Sequence, residues 1–277
     1  MASRIAIVTG ANKGIGLGIV RRLAKELPDD FAILLTARDE DRGKAAAASV
    51  DSTRVHFVPL DVTSEASADA LVRTLRADHG GRVDLLIHNA GVLFRTPPTP
   101  DAARTVLGVN YYGVRRLQAA VEPLLAPAAR VIVLASRLGD VTSLRSASLK
   151  AAITPADVAP EALDGWVGSY QAALEAGTVD ADGWPVTGGL PPYRVSKMGV
   201  IALVRSWATA AAAAGRDVEY HSCCPGWVAT DMGGASATSS IDEGVDTPAW
   251  LALGGGRGRS GSFWASRKAL DFVAGGY

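Results

Sequence analysis

The sequence predicts an α/β fold, a doubly wound parallel sheet, and three features predict it. From the first residues to about Arg216, apolar runs of strand length alternate with longer stretches of helical spacing. The strand runs are dense in Val, Ile and Leu with little polar alternation, the pattern of strands buried on both faces. The first run ends in a glycine-rich turn that leads at once into a helical stretch. Repeated βαβ units with right-handed crossovers satisfy all three. No internal repeat or low-complexity linker marks a boundary, so residues 1–277 are expected to form a single domain.

In order, strands are expected at 5–9, 31–36, 55–60, 83–88, 131–135 and 218–223. Between them, helical spacing covers 16–27, 65–78 and 101–125, the last open to a break at Pro123, and a further helix runs over 193–214. Residues 137–192 interrupt the rhythm. Pro155, Pro160, Pro185, Pro191 and Pro192 divide them into short pieces without a convincing strand. One helical piece sets Leu163, Trp166, Val167, Tyr170 and Leu174 on a single face, which needs something to pack against. An insertion this long inside a compact domain usually carries function or covers something.

Composition removes several function classes. The chain of 277 residues carries 28 Lys and Arg against 28 Asp and Glu, so no net field draws it to nucleic acid or an anionic membrane. Hydrophobic residues at 48% exclude a disordered chain. No uncharged stretch approaches the roughly 18 residues of a membrane span, and Met1-Ala2-Ser3-Arg4 shows no cleavage-like site. Cys223 and Cys224 are adjacent, which leaves neither a disulfide framework nor a Cys-rich zinc site. No metal is expected, and a cytoplasmic location fits.

The chemistry begins at Thr9-Gly10-Ala11-Asn12-Lys13-Gly14-Ile15-Gly16. Glycines after a first strand allow a tight turn, close approach of a pyrophosphate to the backbone and close helix packing, and the helix N-terminus favours the anion. The plain alternative is an ordinary βα turn. Thr36-Ala37-Arg38-Asp39 then ends the second strand. An enzyme for NAD often presents an acid there, whereas a 2′-phosphate needs cations. Arg38, Arg42 and Lys13 are expected to converge on that dianion, so NADP is favoured over NAD. The alternative is a solvated helix start beside Asp39, Glu40 and Asp41.

Tyr193 and Lys197 stand four residues apart in Tyr-Arg-Val-Ser-Lys, on one face of the last long helix. A neighbouring ammonium is expected to lower the phenol pKa, so that Tyr193 can give a proton to a carbonyl oxygen as hydride arrives. Ser136 falls at the end of the fifth strand, in the crevice where open α/β sheets bind ligands, and its hydroxyl can hold the substrate oxygen. Asn89-Ala90-Gly91 ends the fourth strand, and Asn110 lies in the helix that follows.

With these motifs in this order, the chain resembles the short-chain dehydrogenases/reductases from Arg4 to about Phe272, and within them the monomeric NADPH-dependent carbonyl reductases and their plant relatives. The strings that carry the resemblance are Gly-Ala-Asn-Lys-Gly-Ile-Gly at Gly10, Thr-Ala-Arg-Asp at Thr36, Gly-Trp-Pro at Gly183, Cys-Cys-Pro-Gly-Trp-Val at Cys223 and Asp-Glu-Gly-Val-Asp-Thr-Pro at Asp242. The resemblance implies a Rossmann fold and a catalytic set of Asn110, Ser136, Tyr193 and Lys197. In it Tyr193 is the acid, Ser136 orients the carbonyl, and Lys197 binds the nicotinamide ribose while lowering the tyrosine pKa. Asn110 would connect Lys197 to solvent through a water.

The resemblance further implies that Asp61 and Val62 face the adenine, Asn89 to Gly91 the adenosine side, and Pro225, Gly226, Trp227, Val228 and Thr230 the nicotinamide. Leu138, Trp227 and Met232 are expected in the substrate pocket beside the 137–192 insertion. Two departures are His88, where the family commonly has Asn and where a structural role is expected, and Arg137. The expected activity is NADPH-dependent reduction of a ketone, aldehyde or quinone. The alternatives are an NADP(H)-binding regulatory protein without turnover and an NADP-dependent secondary alcohol dehydrogenase. The apolar insertion face is expected to fold over the 193–214 helix, cover the family's usual subunit contact and leave a monomer.

Overall fold

A computed structural model describes residues 4–95 and 98–277; the reading of Met1-Ala2-Ser3 lies outside them. The chain runs β1 Arg4–Val8, α1 Gly14–Glu26, β2 Phe31–Ala37, α2 Glu40–Ala48, β3 Val55–Pro59, α3 Glu65–Asp78, β4 Val83–His88 and α4 Pro100–Leu107. A π turn, Gly108–Tyr112, joins α4 to α5 Gly113–Val121, followed by β5 Leu125–Leu134, α6 Ala147–Ile153, α7 Pro160–Ala176 and α8 Pro191–Ala213. The chain closes with β6 Val218–Cys224, α9 Ile241–Ala252, β7 Phe263–Ala265 and β8 Lys268–Leu270.

The strands form one eight-stranded sheet in the order β3-β2-β1-β4-β5-β6-β7-β8. All neighbours pair in parallel except the last, β7 with β8. Two apolar layers cover the sheet, and the pleat divides each strand between them. Ile5 and Ile7 of β1 enter the layer that holds α3, α5, α7 and α8, while Ala6 and Val8 enter the layer that holds α1 and α9. Burial on both faces explains why the strands carry Val, Ile and Leu without alternation.

Several boundaries differ from expectation. The helix expected over 101–125 is interrupted by the π turn and ends at Val121, with a 3₁₀ turn at Glu122–Leu124 where Pro123 has no amide to donate. The fifth strand starts at Leu125, not 131, because Leu125 pairs with Val83 across an irregular register before the ladder resumes at Leu85 and Arg130. Five elements lacked an expectation, the seven-residue α6 inside the insertion among them. α2 is alanine-rich with almost no apolar periodicity, α9 carries Pro248 in its interior, and β7 and β8 are three residues each.

The insertion is helical, and its apolar face is covered. Leu163, Trp166, Val167 and Tyr170 of α7 are buried, with Leu174 at the margin. Trp184 packs edge-on against Trp166 at 4.8 Å and Tyr170 at 5.3 Å between ring centroids. The helix lies on α8: a Cβ at Gly199 would stand 2.7 Å from the Tyr111 ring and 3.1 Å from a Val167 methyl, so that contact requires glycine.

Candidate active site

The strand order reverses between β1 and β4, and the loops beyond the strands' carboxyl ends meet there. Gly10 has φ +60°, and a Cβ on it would fall 2.8 Å from the Ala90 Cα. One at Gly16 would stand 2.5 Å from the Asn89 amide nitrogen and 2.7 Å from the Gly10 carbonyl oxygen, closer than real atoms approach. Hydrogen bonds hold this frame. The Asn89 side chain donates to the carbonyls of Thr9 (2.8 Å) and Gly10 (3.0 Å), and the Thr9 hydroxyl accepts from the amides of Asn89 and Ala90, each at 3.0 Å. Asn89 and Ala90 therefore build the glycine-rich turn rather than merely flanking it.

The turn from Asn12 through Lys13, Gly14 and Ile15 delivers α1 without a side-chain cap. By contrast α2, α3, α4 and α9 begin on Asp39, Ser64, Thr99 and Ser240, each accepting a backbone N–H. The first amides of α1 are thus left for an anion, and a dinucleotide pyrophosphate fits that cradle.

The cations expected around a 2′-phosphate are not assembled. Arg42 pairs with Asp39 at 2.6 Å, and Lys13 reaches Asp231 at 2.5 Å across the groove. Arg38 is exposed at the end of β2. Exposed pairs of this kind are weak and exchange readily for a dianion. The neighbouring Asp61 carboxyl sits below its usual range: burial would raise it, but hydrogen bonds from Thr63 and the charges of Arg38 and Arg116 outweigh burial. The Val62 carbonyl accepts from Arg116 at 2.9 Å, and the Val62 side chain packs at Gly113.

Tyr193 lies in the first turn of α8 and Lys197 one turn on, its ammonium 5.3 Å from the phenol ring centroid. Ser136 is near enough to the Tyr193 phenol to act on its pKa, and its Oγ accepts from the Leu138 amide at 3.1 Å. Lys197 Nζ donates to the Leu134 carbonyl at 2.7 Å, which ties the helix to the end of β5. Asn110, in the π turn, is buried; its Oδ1 accepts from the Val92 amide at 2.8 Å, and its Nδ2 donates to the Val92 carbonyl and to Ser196 Oγ at 3.3 Å. Ser196 in turn donates to the Tyr193 carbonyl at 2.7 Å. The Asn110 side chain thus positions the turn that carries Tyr193.

The electrostatics correct one expectation. The Tyr193 phenol is pushed up, first by burial and then by Cys224, against a smaller opposite effect of Ser136. Lys197 does not hold it down, because the lysine is itself desolvated and lowered to about 8 by burial. Tyr193 is a protonated donor throughout the neutral range. His88 behaves as a strand-end core residue: buried, bonded to Gln118 at 3.1 Å, and lowered by burial to about 4.

Beside Tyr193 opens a small apolar cavity walled by Leu93, Phe94, Val106, Leu190 and Pro192. Leu138, Trp227 and Met232 are not in that wall. Trp227 and Met232 are exposed on the loop after β6, where the Trp227 indole donates to the Gly233 carbonyl at 2.9 Å, and the Leu138 backbone N–H donates to Ser136 Oγ. Leu93 and Phe94 follow Asn-Ala-Gly, and Leu190 and Pro192 precede Tyr193, an adjacency that was the available signal for these four; Val106 lies in α4 and carried none. Pro225 and Gly226 lead into the same loop; Val228 bridges to Ser239, and a Cβ at Gly14 would meet the Thr230 methyl at 3.2 Å, so this loop touches the glycine-rich turn. Arg137 is exposed.

The family model described as short chain dehydrogenase matches residues 4–152. Carbonyl reductase [NADPH] 1 of Bos taurus is 35% identical over 279 residues, covering 97% of this chain and 98% of its own. The Homo sapiens protein of that name is 36% identical over 258 residues, with 90% of each chain covered. In fold, the chain matches salutaridine reductase from Papaver somniferum with a TM-score of 0.85 at 24% identity, over 94% of this chain and 99% of that one. Menthone neomenthol reductase from Mentha piperita gives 0.80 at 24% identity, over 97% and 100%.

Proposed function

The chain belongs to the short chain dehydrogenases, and from that premise we propose that it reduces the carbonyl group of a ketone, aldehyde or quinone to an alcohol with NADPH, Tyr193 giving the proton. The observation that carries this reading is Tyr193, kept protonated by burial, with Ser136 beside its phenol, in the wall of an apolar cavity. When bound, NADPH supplies the hydride. Gly10 to Gly16, the free amides of α1 and Arg38 would hold it, with Asp61, Val62 and the 225–230 loop along its length and Lys197 at the nicotinamide ribose.

Ser136 orients the substrate oxygen toward Tyr193, and the phenol transfers its proton there. Moving charge onto that oxygen is favourable only where a donor is already aimed at it, which is the task of the Ser136–Tyr193 pair. Lys197, fixed by the Leu134 carbonyl with its ammonium 5.3 Å from the ring centroid, is placed for the ribose contact beside the proton donor. A panel of carbonyl compounds offered with NADPH and NADH, followed by absorbance at the nicotinamide band, tests class and cofactor together. Turnover with NADPH is expected; NADPH binding without turnover of any carbonyl would leave the regulatory reading.

The reading includes a monomer in the cytoplasm, formed by the single domain 1–277 with the insertion 137–192 beside the substrate pocket. Its support is α7 lying on α8 through Val167 and Gly199, which leaves that stretch of α8 no free patch for an isologous contact. Among the described residues no helix is long and apolar enough to cross a membrane. Light scattering at micromolar concentration should return the mass of one chain, and a stable dimer through α8 would refute it.

A further inference from the structure

A second, larger cavity adjoins the one at Tyr193. It has a volume of about 460 Å³ and runs between α7 and the turn that precedes α8, with Leu174, Val179, Pro185 and Val186 in its wall. The two cavities share a boundary of Pro98, Leu190 and Pro191. The volume falls within the range of pockets that enclose small organic ligands.

Two observations mark this chamber as more than slack packing. Leu190 stands in both walls with φ +58° and ψ +41°, a left-handed conformation that a leucine adopts only when its surroundings impose it. Gly188 and Gly189 precede it and would take that conformation without strain, so what the leucine adds at 190 is an apolar side chain on the boundary between the chambers. Second, Phe94 in the first wall and Val186 in the second are 42% and 41% exposed, which leaves apolar surface at both ends that an apolar ligand would cover. The charged group in the second wall is Arg95, and its Nη2 is committed to the carbonyls of Met232 and Gly233 at 3.1 and 2.8 Å.

We infer that this chamber is a second substrate subsite that takes an uncharged apolar arm attached to the reacting carbonyl, so that the enzyme selects extended aryl or alkyl carbonyl compounds over short ones. The inference rests on the carbonyl-reducing reading and adds to it the class of substrate. The carbonyl stays at Tyr193, and the arm passes Leu190 to lie against Leu174, Val179 and Val186.

Benzaldehydes with a 4-alkyl chain growing from methyl to hexyl test it, as kcat/KM with NADPH. Each methylene that enters the chamber should raise kcat/KM by about fourfold. The deciding quantity is the ratio of the hexyl to the methyl compound in wild type, Val186→Trp and Leu174→Trp. Filling the chamber should bring that ratio toward one, whereas a merely misfolded or weakened variant lowers both substrates together and leaves it standing. A ratio near one in wild type, or one unchanged in both variants, overturns the subsite. Should neither the methyl nor the hexyl compound be reduced, the catalytic reading fails separately. The subsite is then judged by calorimetry of 4-hexyl- against 4-methylbenzyl alcohol on the protein with NADP⁺: an affinity gain with the tail that Val186→Trp removes supports it, and equal affinities overturn it.

Discussion

The glycine-rich turn and the substrate wall are both loops at the carboxyl ends of the same strands, yet they are built on opposite principles. In the first, almost every residue answers to backbone geometry: Gly16 leaves no room for a Cβ, Asn89 bonds two carbonyls of the turn, and Thr9 accepts two amides. In the second, Leu93, Phe94 and Val106 answer only to shape, which many apolar side chains supply equally. The cofactor side is therefore constrained and the substrate side free to vary.

The largest expected effect separates chemistry from both loops. Tyr193→Phe removes the proton donor alone, and general acid catalysis is typically worth about 10² to 10⁴-fold, so reduction should fall by that factor while NADPH affinity holds. Steady-state rates and NADPH fluorescence titration measure the two. More than a tenth of the wild-type rate would remove Tyr193 from its role.

Next comes the adenosine end. With Lys13 and Arg42 already paired, Arg38 is the cation expected to set cofactor choice. Arg38→Ala should weaken NADPH roughly tenfold to a hundredfold by loss of a charge-assisted contact and leave NADH nearly unchanged. Equal loss for both cofactors would make Arg38 structural.

How much of this was legible follows the same division. Thr9 to Gly16, Asn89-Ala90-Gly91, Ser136, Tyr193 and Lys197 were readable because strand ends, tight turns and helical spacing demand particular residues at particular offsets. β7 and β8 were not, being too short for a period, and α2 hid in alanines. The pocket wall escaped because nothing local distinguishes a leucine that lines a cavity from one that fills a core. The Asn110–Ser196–Tyr193 connection escaped for another reason: the π turn that aims Asn110 depends on tertiary contacts, not on helical periodicity.

A smaller effect concerns pH. Burial lowers Lys197 to about 8, so its ammonium, and the ribose contact expected of it, should fade as pH rises through that value. NADPH affinity should fall above about pH 8, and Lys197→Met should be weaker throughout but flat across the same range. A fall of equal size in that variant would place the titrating group elsewhere. For folding the sign is opposite: a lysine whose pKa is depressed in the fold costs stability while charged, so this contribution improves from pH 8 toward the ordinary lysine value.

The smallest effect tests the point where the two sides touch. Lys13 belongs to the cofactor turn and Asp231 to the loop after β6, and their ion pair spans the groove between them with both side chains largely exposed. A dinucleotide that recruits Lys13 must first exchange Asp231 for its own phosphate. Asp231→Ala removes the competitor, so NADPH should bind tighter, by only a few-fold because exposed pairs are weak and screened by salt. The gain should shrink further at high ionic strength. NADH discriminates the target: a gain confined to NADPH puts Lys13 at the 2′-phosphate with Arg38, and an equal gain for both puts it at the pyrophosphate beside the uncapped start of α1. No gain for either cofactor, at low salt, would show that Lys13 meets neither and that the pair only holds the two loops together.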